Sequence, residues 1–187
     1  MLPILYQDAH LIAVDKPAGL LVHRTGLDAG ETRFAVQLLR DQIGQPVWPV
    51  HRLDKGTSGV LLFALDADTA SATSSLFASN GKIRKRYLAM VRGWPPEAGR
   101  IDHPLKRMQD DARRASSATD VQDAVTRFQR LSTYALPIPY GAFSQTRCAL
   151  VALTPETGRR HQLRRHCKHL SHPILGDATH GKGPLNR

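Results

Sequence analysis

The residues most able to do chemistry stand together at His51-Arg52-Leu53-Asp54-Lys55-Gly56-Thr57-Ser58-Gly59. One carboxylate, two cations, an imidazole, two hydroxyls and two glycines occupy nine positions. They lie between Val47-Trp48-Pro49-Val50 and the apolar run from Val60 to Leu65. Both flanks read as extended segments bound for a core. A carboxylate in such a loop can act as a nucleophile or a base. The same residues also suit an ordinary tight turn, so the loop alone leaves both readings open.

A second dense stretch is Thr157-Gly158-Arg159-Arg160-His161-Gln162-Leu163-Arg164-Arg165-His166. Leu163, Cys167 and Leu170 follow at i, i+4 and i+7, which gives one apolar stripe to a helix that Thr157 would cap. Arginines near a helix N-terminus suit phosphate binding. A solvated basic face is the plainer reading of any one of them. His161, His166, Cys167, His169 and His172 do not have the spacing of a tetrahedral zinc site, and the surrounding arginines repel a cation. No metal is expected.

The chain has 187 residues and a net charge of +10, with 41% hydrophobic and 22% charged residues. This describes a globular chain with a basic surface. Lys82 to Arg92 and Thr157 to His172 each hold five basic residues and no acid, together matching the net charge. Basicity concentrated in two segments fits a nucleic-acid footprint. Two cysteines without a Cys-x-x-Cys pair exclude a disulfide scaffold. There is no basic, apolar leader and no apolar run near the roughly 20 residues of a membrane span. A cytoplasmic protein without membrane partners is expected.

Several elements must position these stretches. Pro3 to Tyr6 and Leu11 to Val14 read as strands, followed by a turn at Asp15-Lys16-Pro17-Ala18-Gly19. Thr32 to Ile43 reads as an amphipathic helix stopped by Gly44. Val60 to Leu65 reads as a buried strand. Asp66 or Asp68 caps a helix to about Ala78, with Asn80-Gly81 as its stop. Lys85 to Gly93 alternates as a strand with Tyr87, Ala89 and Val91 on one face. Trp94 to Gly99 reads as a Pro-rich turn, and Lys106 to Asp123 as a polar, exposed excursion. Thr126 to Tyr134 and Thr146 to Leu153 complete the strands.

His-Arg-Leu-Asp with Thr-Ser-Gly resembles the catalytic motif of the RluA family of pseudouridine synthases. Lys16, Pro17, Gly19, Val22 and His23 match that family's early motif. Lys85, Tyr87, Ala89, Val91 and Gly93 match its Lys-x-Tyr-x-Ala-x-Val-x-Gly motif. Thr157, Gly158, Arg159, His161, Gln162, Leu163, Arg164 and His166 match its third, and Ser171 to Asp177 continue the match. The resemblance is greatest to the small, tRNA-modifying members. It implies an isomerase of α+β class, with a central mixed or largely antiparallel sheet, flanking helices and an RNA-binding cleft. Residues 1–187 would form one catalytic domain. Relatives continue beyond the Gly-Asp region into a further strand and helix, so a chain ending at Arg187 would be truncated or belong to a short subfamily.

The resemblance also assigns roles. Asp54 is the essential carboxylate, and whether it attacks C1′, attacks C6 or works through a glycal stays open. Tyr87 contacts the target base and is a candidate proton acceptor. Arg164 pairs with the catalytic carboxylate. At about 4 Å and an effective dielectric of about 20, such a cation favours the ionised acid by roughly 4 kcal/mol before desolvation. Candidate RNA contacts are Lys16, His51, Arg52, Lys85, Arg159, His161, Gln162 and Arg165. Arg52 is the candidate to fill the stack that a flipped base vacates. The partner would be RNA, foremost tRNA, with rRNA as the alternative, and not duplex DNA. A monomer is expected. The isomerisation involves no net redox change, so no cofactor is expected. A non-catalytic RNA-binding protein of the same fold is the remaining alternative.

Overall fold

The computed structural model describes residues 1–24, 30–79, 81–108, 120–139 and 141–181. Its architecture is α+β, with every strand ladder antiparallel. The chain divides into two compact units, one built on Met1–Ile83 and one starting at Arg84.

The first unit carries β1 (Ile4–Gln7), β2 (Leu11–Lys16), β3 (Trp48–Pro49) and β4 (Gly59–Ala64), in the spatial order β1-β2-β4-β3. The β1–β2 turn is set by Asp8, whose carboxylate accepts the N–H groups of His10 and Leu11, the usual way Asp closes a turn on its own backbone. Alternation then decides the buried face. Ile12, Val14, Leu61 and Phe63 are all buried, and the register sets Ile12 against Phe63 and Val14 against Leu61. These pairs fix β4, which leads out of the polar loop, against β2, which leads into the Lys16 turn.

Two helices complete this unit. α1 (Ala35–Ile43) buries Ala35 and Leu39 and ends at Gly44, whose φ of 71° is the left-handed conformation that glycine adopts without penalty. It starts three residues later than the periodicity suggests. α2 (Ala67–Ala78) starts at Asp66, whose carboxylate accepts the Thr69 N–H at 2.7 Å, as the sequence predicts for an N-cap. Asn80 of its expected stop lies outside the described residues.

The second unit holds β5 (Tyr87–Arg92), β6 (Ala98–Asp102), β9 (Val125–Leu136) and β10 (Thr146–Pro155) in the order β5-β10-β9-β6. A two-stranded ribbon, β7 (Leu105–Lys106) with β8 (Val121–Gln122), stands beside it in sequence. The helix α3 (Gln162–His169) turns Leu163 and Cys167 toward Val91, Phe128, Ala149, Val151 and Leu153, with Leu170 just beyond its end. That is the stripe read from the sequence. Burial pushes the Cys167 thiol up to about 12, with the Asp177 charge adding to it, so this cysteine behaves as an apolar packing group.

Strand β6 is one element the sequence did not reveal, since Trp94 to Gly99 reads as a Pro-rich turn. In Ala98-Gly99-Arg100-Ile101-Asp102 only Ile101 is buried, too little to show a period of two. Its strand character comes from pairing with β9 across Ala98↔Gln129 to Asp102↔Val125. The ends of the 106–123 excursion fall in the β7–β8 ribbon, and residues 109–119 lie outside the described residues. Among the described residues no helix is long and apolar enough to cross a membrane.

Candidate active site

In the first unit, the loop from His51 to Ser58 leaves β3 and enters β4. Leu53 is buried and anchors it. The Thr57 N–H donates to the Asp54 carbonyl at 3.0 Å, closing a turn that displays the half-buried Asp54 side chain. Gly59 has φ 115°, a conformation that side-chain-bearing residues rarely adopt. The His51 ring stacks on Phe77 of α2 at 4.4 Å, and its Nε2 accepts the Leu62 N–H at 3.0 Å. That hydrogen bond fixes the tautomer, with the proton on Nδ1. Arg52 is exposed. Lys55 donates to Glu31 at 2.6 Å.

Lys16 corrects one expectation. It is expected among the RNA contacts, yet its side chain is 0% exposed. Its Nζ donates to the carbonyls of Pro17 at 2.9 Å and Leu20 at 2.7 Å, with the Lys55 carbonyl at 3.4 Å. The Gly19 N–H also donates to the Lys55 carbonyl at 2.8 Å. The early Lys-Pro-x-Gly turn therefore braces the Asp54 loop from beneath. Burial lowers the Lys16 pKa, and the Asp54 charge partly offsets this. Lys16 thus feels the charge of the candidate carboxylate.

In the second unit, Tyr87 opens β5 on the face that packs toward α3. Lys85 sends its Nζ to within 3.8 Å of where a Cβ on Gly158 would stand. Arg159 donates through Nε to the Asp123 carbonyl at 2.9 Å, and Arg165 through Nη1 to the Lys106 carbonyl at 2.9 Å. Both guanidinium groups are thereby tethered near the start of α3.

Thr157 and Gln162 also differ from expectation. α3 is capped at His161, in the left-handed conformation with φ 53°, and no side chain caps it. The Thr157 hydroxyl instead donates to Gln162 Oε1 at 2.7 Å and accepts the Val125 N–H. Gln162 is 4% exposed. Its Oε1 also accepts the Arg159 N–H, and its Nε2 donates to the Val125 carbonyl and the Thr126 hydroxyl. Every polar position of that amide is used inside the protein, so Gln162 locks the third motif onto β9 in place of the RNA contact expected of it.

The chain of bonds continues inward. His166 is 0% exposed, with Nδ1 at 2.9 Å from Thr126 Oγ1 and Nε2 at 3.1 Å from the His103 carbonyl. A carbonyl can only accept, so Nε2 carries the proton and Thr126 donates to Nδ1. His103 stacks on His169 with centroids 3.7 Å apart. His161 meets His180, Nδ1 to Nε2, at 2.9 Å.

Burial, first of all, holds His103, His166 and His180 below the ordinary histidine value, and nearby arginines add to it. The sign is direct. Below about pH 6.5 the unfolded chain binds protons that the folded chain resists, so stability falls with pH. Thermal unfolding followed by circular dichroism should give a level Tm above about pH 7 and a falling one toward pH 5. A Tm that holds level down to pH 5 contradicts the burial of neutral imidazoles.

Arg164 projects from α3 and is held by Asp177. Its Nε donates to Oδ2 at 2.8 Å and its Nη2 to Oδ1 at 2.7 Å, a bidentate pair. Burial alone would raise the Asp177 pKa. The Arg164 hydrogen bonds, the N–H groups of His180 and Thr179 and the Arg164 charge outweigh it and hold that carboxyl well below the usual range. The sequence placed Asp177 in a matched stretch and gave it no role. An acid beside a Gly in a basic C-terminal region was the available signal.

The first unit thus carries the braced carboxylate loop and the second the basic third motif. The family model for RNA pseudouridylate synthase matches residues 10–169, and the chain belongs to that family. It is therefore a pseudouridine synthase, an isomerase. The chain is 53% identical over 189 residues to tRNA pseudouridine synthase C of Vibrio cholerae serotype O1, covering 100% of this chain and 77% of that protein. It is 54% identical over 187 residues to the enzyme of the same name from Haemophilus ducreyi, covering 100% and 76%. Among solved structures, human RNA Pseudouridylate Synthase Domain Containing 4 superposes with a TM-score of 0.71 at 32% identity, covering 98% of this chain and 70% of that one. Human RNA Pseudouridylate Synthase Domain Containing 1 gives 0.73 at 26% identity, covering 97% and 70%.

Proposed function

We propose that this protein converts a specific uridine of tRNA to pseudouridine, as a cofactor-free cytoplasmic monomer with one catalytic domain. The observation that carries the tRNA assignment is half-identity along the whole chain to two enzymes named tRNA pseudouridine synthase C. The reaction breaks the N1–C1′ bond, turns the base and joins C5 to C1′. The C5 proton leaves and N1 gains one, so atoms and electrons balance within the nucleoside.

Asp54 is the group that meets the nucleoside, with the Lys16 ammonium close enough to feel its charge. Tyr87 contacts the base, and its phenol is the candidate acceptor of the C5 proton. Arg164 supplies positive charge to the reaction. Arg52, exposed beside Asp54, suits the space left by an extruded base. His51, Lys85, Arg159, His161 and Arg165 remain the candidate RNA contacts.

The test maps pseudouridine by mass spectrometry in tRNA and rRNA incubated with the protein. A product confined to rRNA overturns the tRNA assignment, and binding without product overturns catalysis by this chain. The basic segments carry a second expectation. RNA affinity should fall by orders of magnitude between about 50 and 200 mM salt as phosphate counterions are released. A flat titration assigns those segments to something else.

A further inference from the structure

The turn from Asp177 to Gly181 belongs to neither basic segment, yet it holds two side chains of the third motif. The chain leading into it is pinned to β5: Arg92 N–H donates to the Pro173 carbonyl, and Leu175 N–H to that of Met90. The Gly181 N–H then closes the turn on the Asp177 carbonyl at 2.8 Å. Inside the turn, Asp177 Oδ1 accepts the N–H groups of Thr179 and His180, both at 3.0 Å. The carboxylate is thus fixed by its own backbone before it meets Arg164.

Two contacts reach α3 from this turn. Asp177 takes the Nε and Nη2 edge of Arg164, which sets the guanidinium plane and the direction of Nη1. Three positions before Arg164, at the N-cap of α3, His161 shares a hydrogen bond with His180 at 2.9 Å, the rings edge to face. His161 caps α3 without donating its side chain to the helix, and His180 holds that imidazole through Nδ1. Both anchors come from one rigid turn.

We infer that the Asp177–His180 turn is a positioning device for the isomerisation, with Asp177 orienting Arg164 and His180 orienting His161. This rests on the reading that Arg164 serves the reaction and His161 the RNA. Neither Asp177 nor His180 need touch the substrate. Asp177→Asn keeps the size of the side chain but sets an amide N–H among donors, so the guanidinium loses its bidentate partner.

The experiment measures kcat, KM, RNA Kd and Tm for the full chain and three variants. Asp177→Asn, assayed below its Tm, should lower kcat by about 10–100-fold, the range for loss of an orienting partner, with Kd within about twofold. His180→Ala should raise Kd and KM several-fold with kcat nearly unchanged. His180→Gln, whose amide can still bond an imidazole nitrogen, should restore most of that loss. An unchanged kcat in folded Asp177→Asn overturns the first assignment. Parallel loss of kcat and folded fraction reduces Asp177 to a structural brace and also overturns it. His180→Gln no better than His180→Ala overturns the second.

Nitrogen-15 NMR reads the positioning without turnover. The Arg164 Nε–H should exchange slowly in the parent protein and rapidly in Asp177→Asn. If that holds while the parent forms no pseudouridine, the catalytic reading has failed and the orientation stands. Rapid exchange in the parent overturns the orientation itself.

Discussion

Asp54→Asn should bind RNA as the parent does and form pseudouridine at least about 10³-fold more slowly, within the range for losing a positioned acid–base group. The isosteric amide keeps the turn, because the Thr57 N–H bonds the Asp54 main-chain carbonyl and not the side chain. The brace under the loop is untouched, since Lys16 is anchored on main-chain carbonyls. What disappears is the negative charge and its nucleophilic or basic oxygen. A neutral amide cannot become the anion that meets the nucleoside. A tritium-release assay on tRNA, with filter binding beside it, separates the two effects. Normal product yield from folded Asp54→Asn would falsify the assignment.

The second large effect is expected at Arg164, where stability and rate fall together for different reasons. Arg164→Ala leaves the Asp177 carboxylate, 4% exposed on its side chain, facing the gap where a guanidinium stood. Removing one partner of a buried pair costs about 3–5 kcal/mol because the remaining charge stays desolvated. Against a typical total of about 5–15 kcal/mol, that is a large share. Turnover should drop as well, and the single variant cannot say which cause dominates. The double variant Arg164→Met with Asp177→Asn removes both charges, while the Asn Oδ1 can still accept the Thr179 and His180 N–H groups. Its stability should return to within about 1–2 kcal/mol of the parent, since no buried charge is left unpaired. Its turnover should stay low. Urea unfolding and single-turnover kinetics on the three proteins decide the matter. Recovery of rate together with stability assigns Arg164 to the fold alone.

These two positions differ in how far they could be read in advance. Asp54 sits in a nine-residue stretch whose chemistry is local, so its candidacy needs no partner from elsewhere. Arg164 was named from the resemblance, without Asp177. Its bidentate partner lies 13 positions on, beyond any helical or strand period, and only the turn anchored on β5 brings it there.

Local rules carried much of the architecture. The Asp66 cap, the left-handed Gly44 and the Leu163, Cys167 and Leu170 stripe each depend on residues within two turns of one another. The strands into and out of the Asp54 loop announce themselves as apolar runs. Strand β6 does not, because four of its five residues are unburied and only β9 makes it a strand.

Charge and polarity were legible as composition but not as use. Lys16 and Gln162 have the residue types of RNA contacts, yet both are buried and fully occupied within the protein. The Val125 carbonyl that receives Gln162 is 37 positions away, and the Thr126 hydroxyl that meets His166 is 40 away. A buried polar group must find a partner, but the rule does not say which. The amino-acid order thus determined the chemistry on offer and the local elements that carry it. Tertiary folding decided which polar groups are spent holding the loop and helix in place, because that depends on long-range closure that no local pattern encodes.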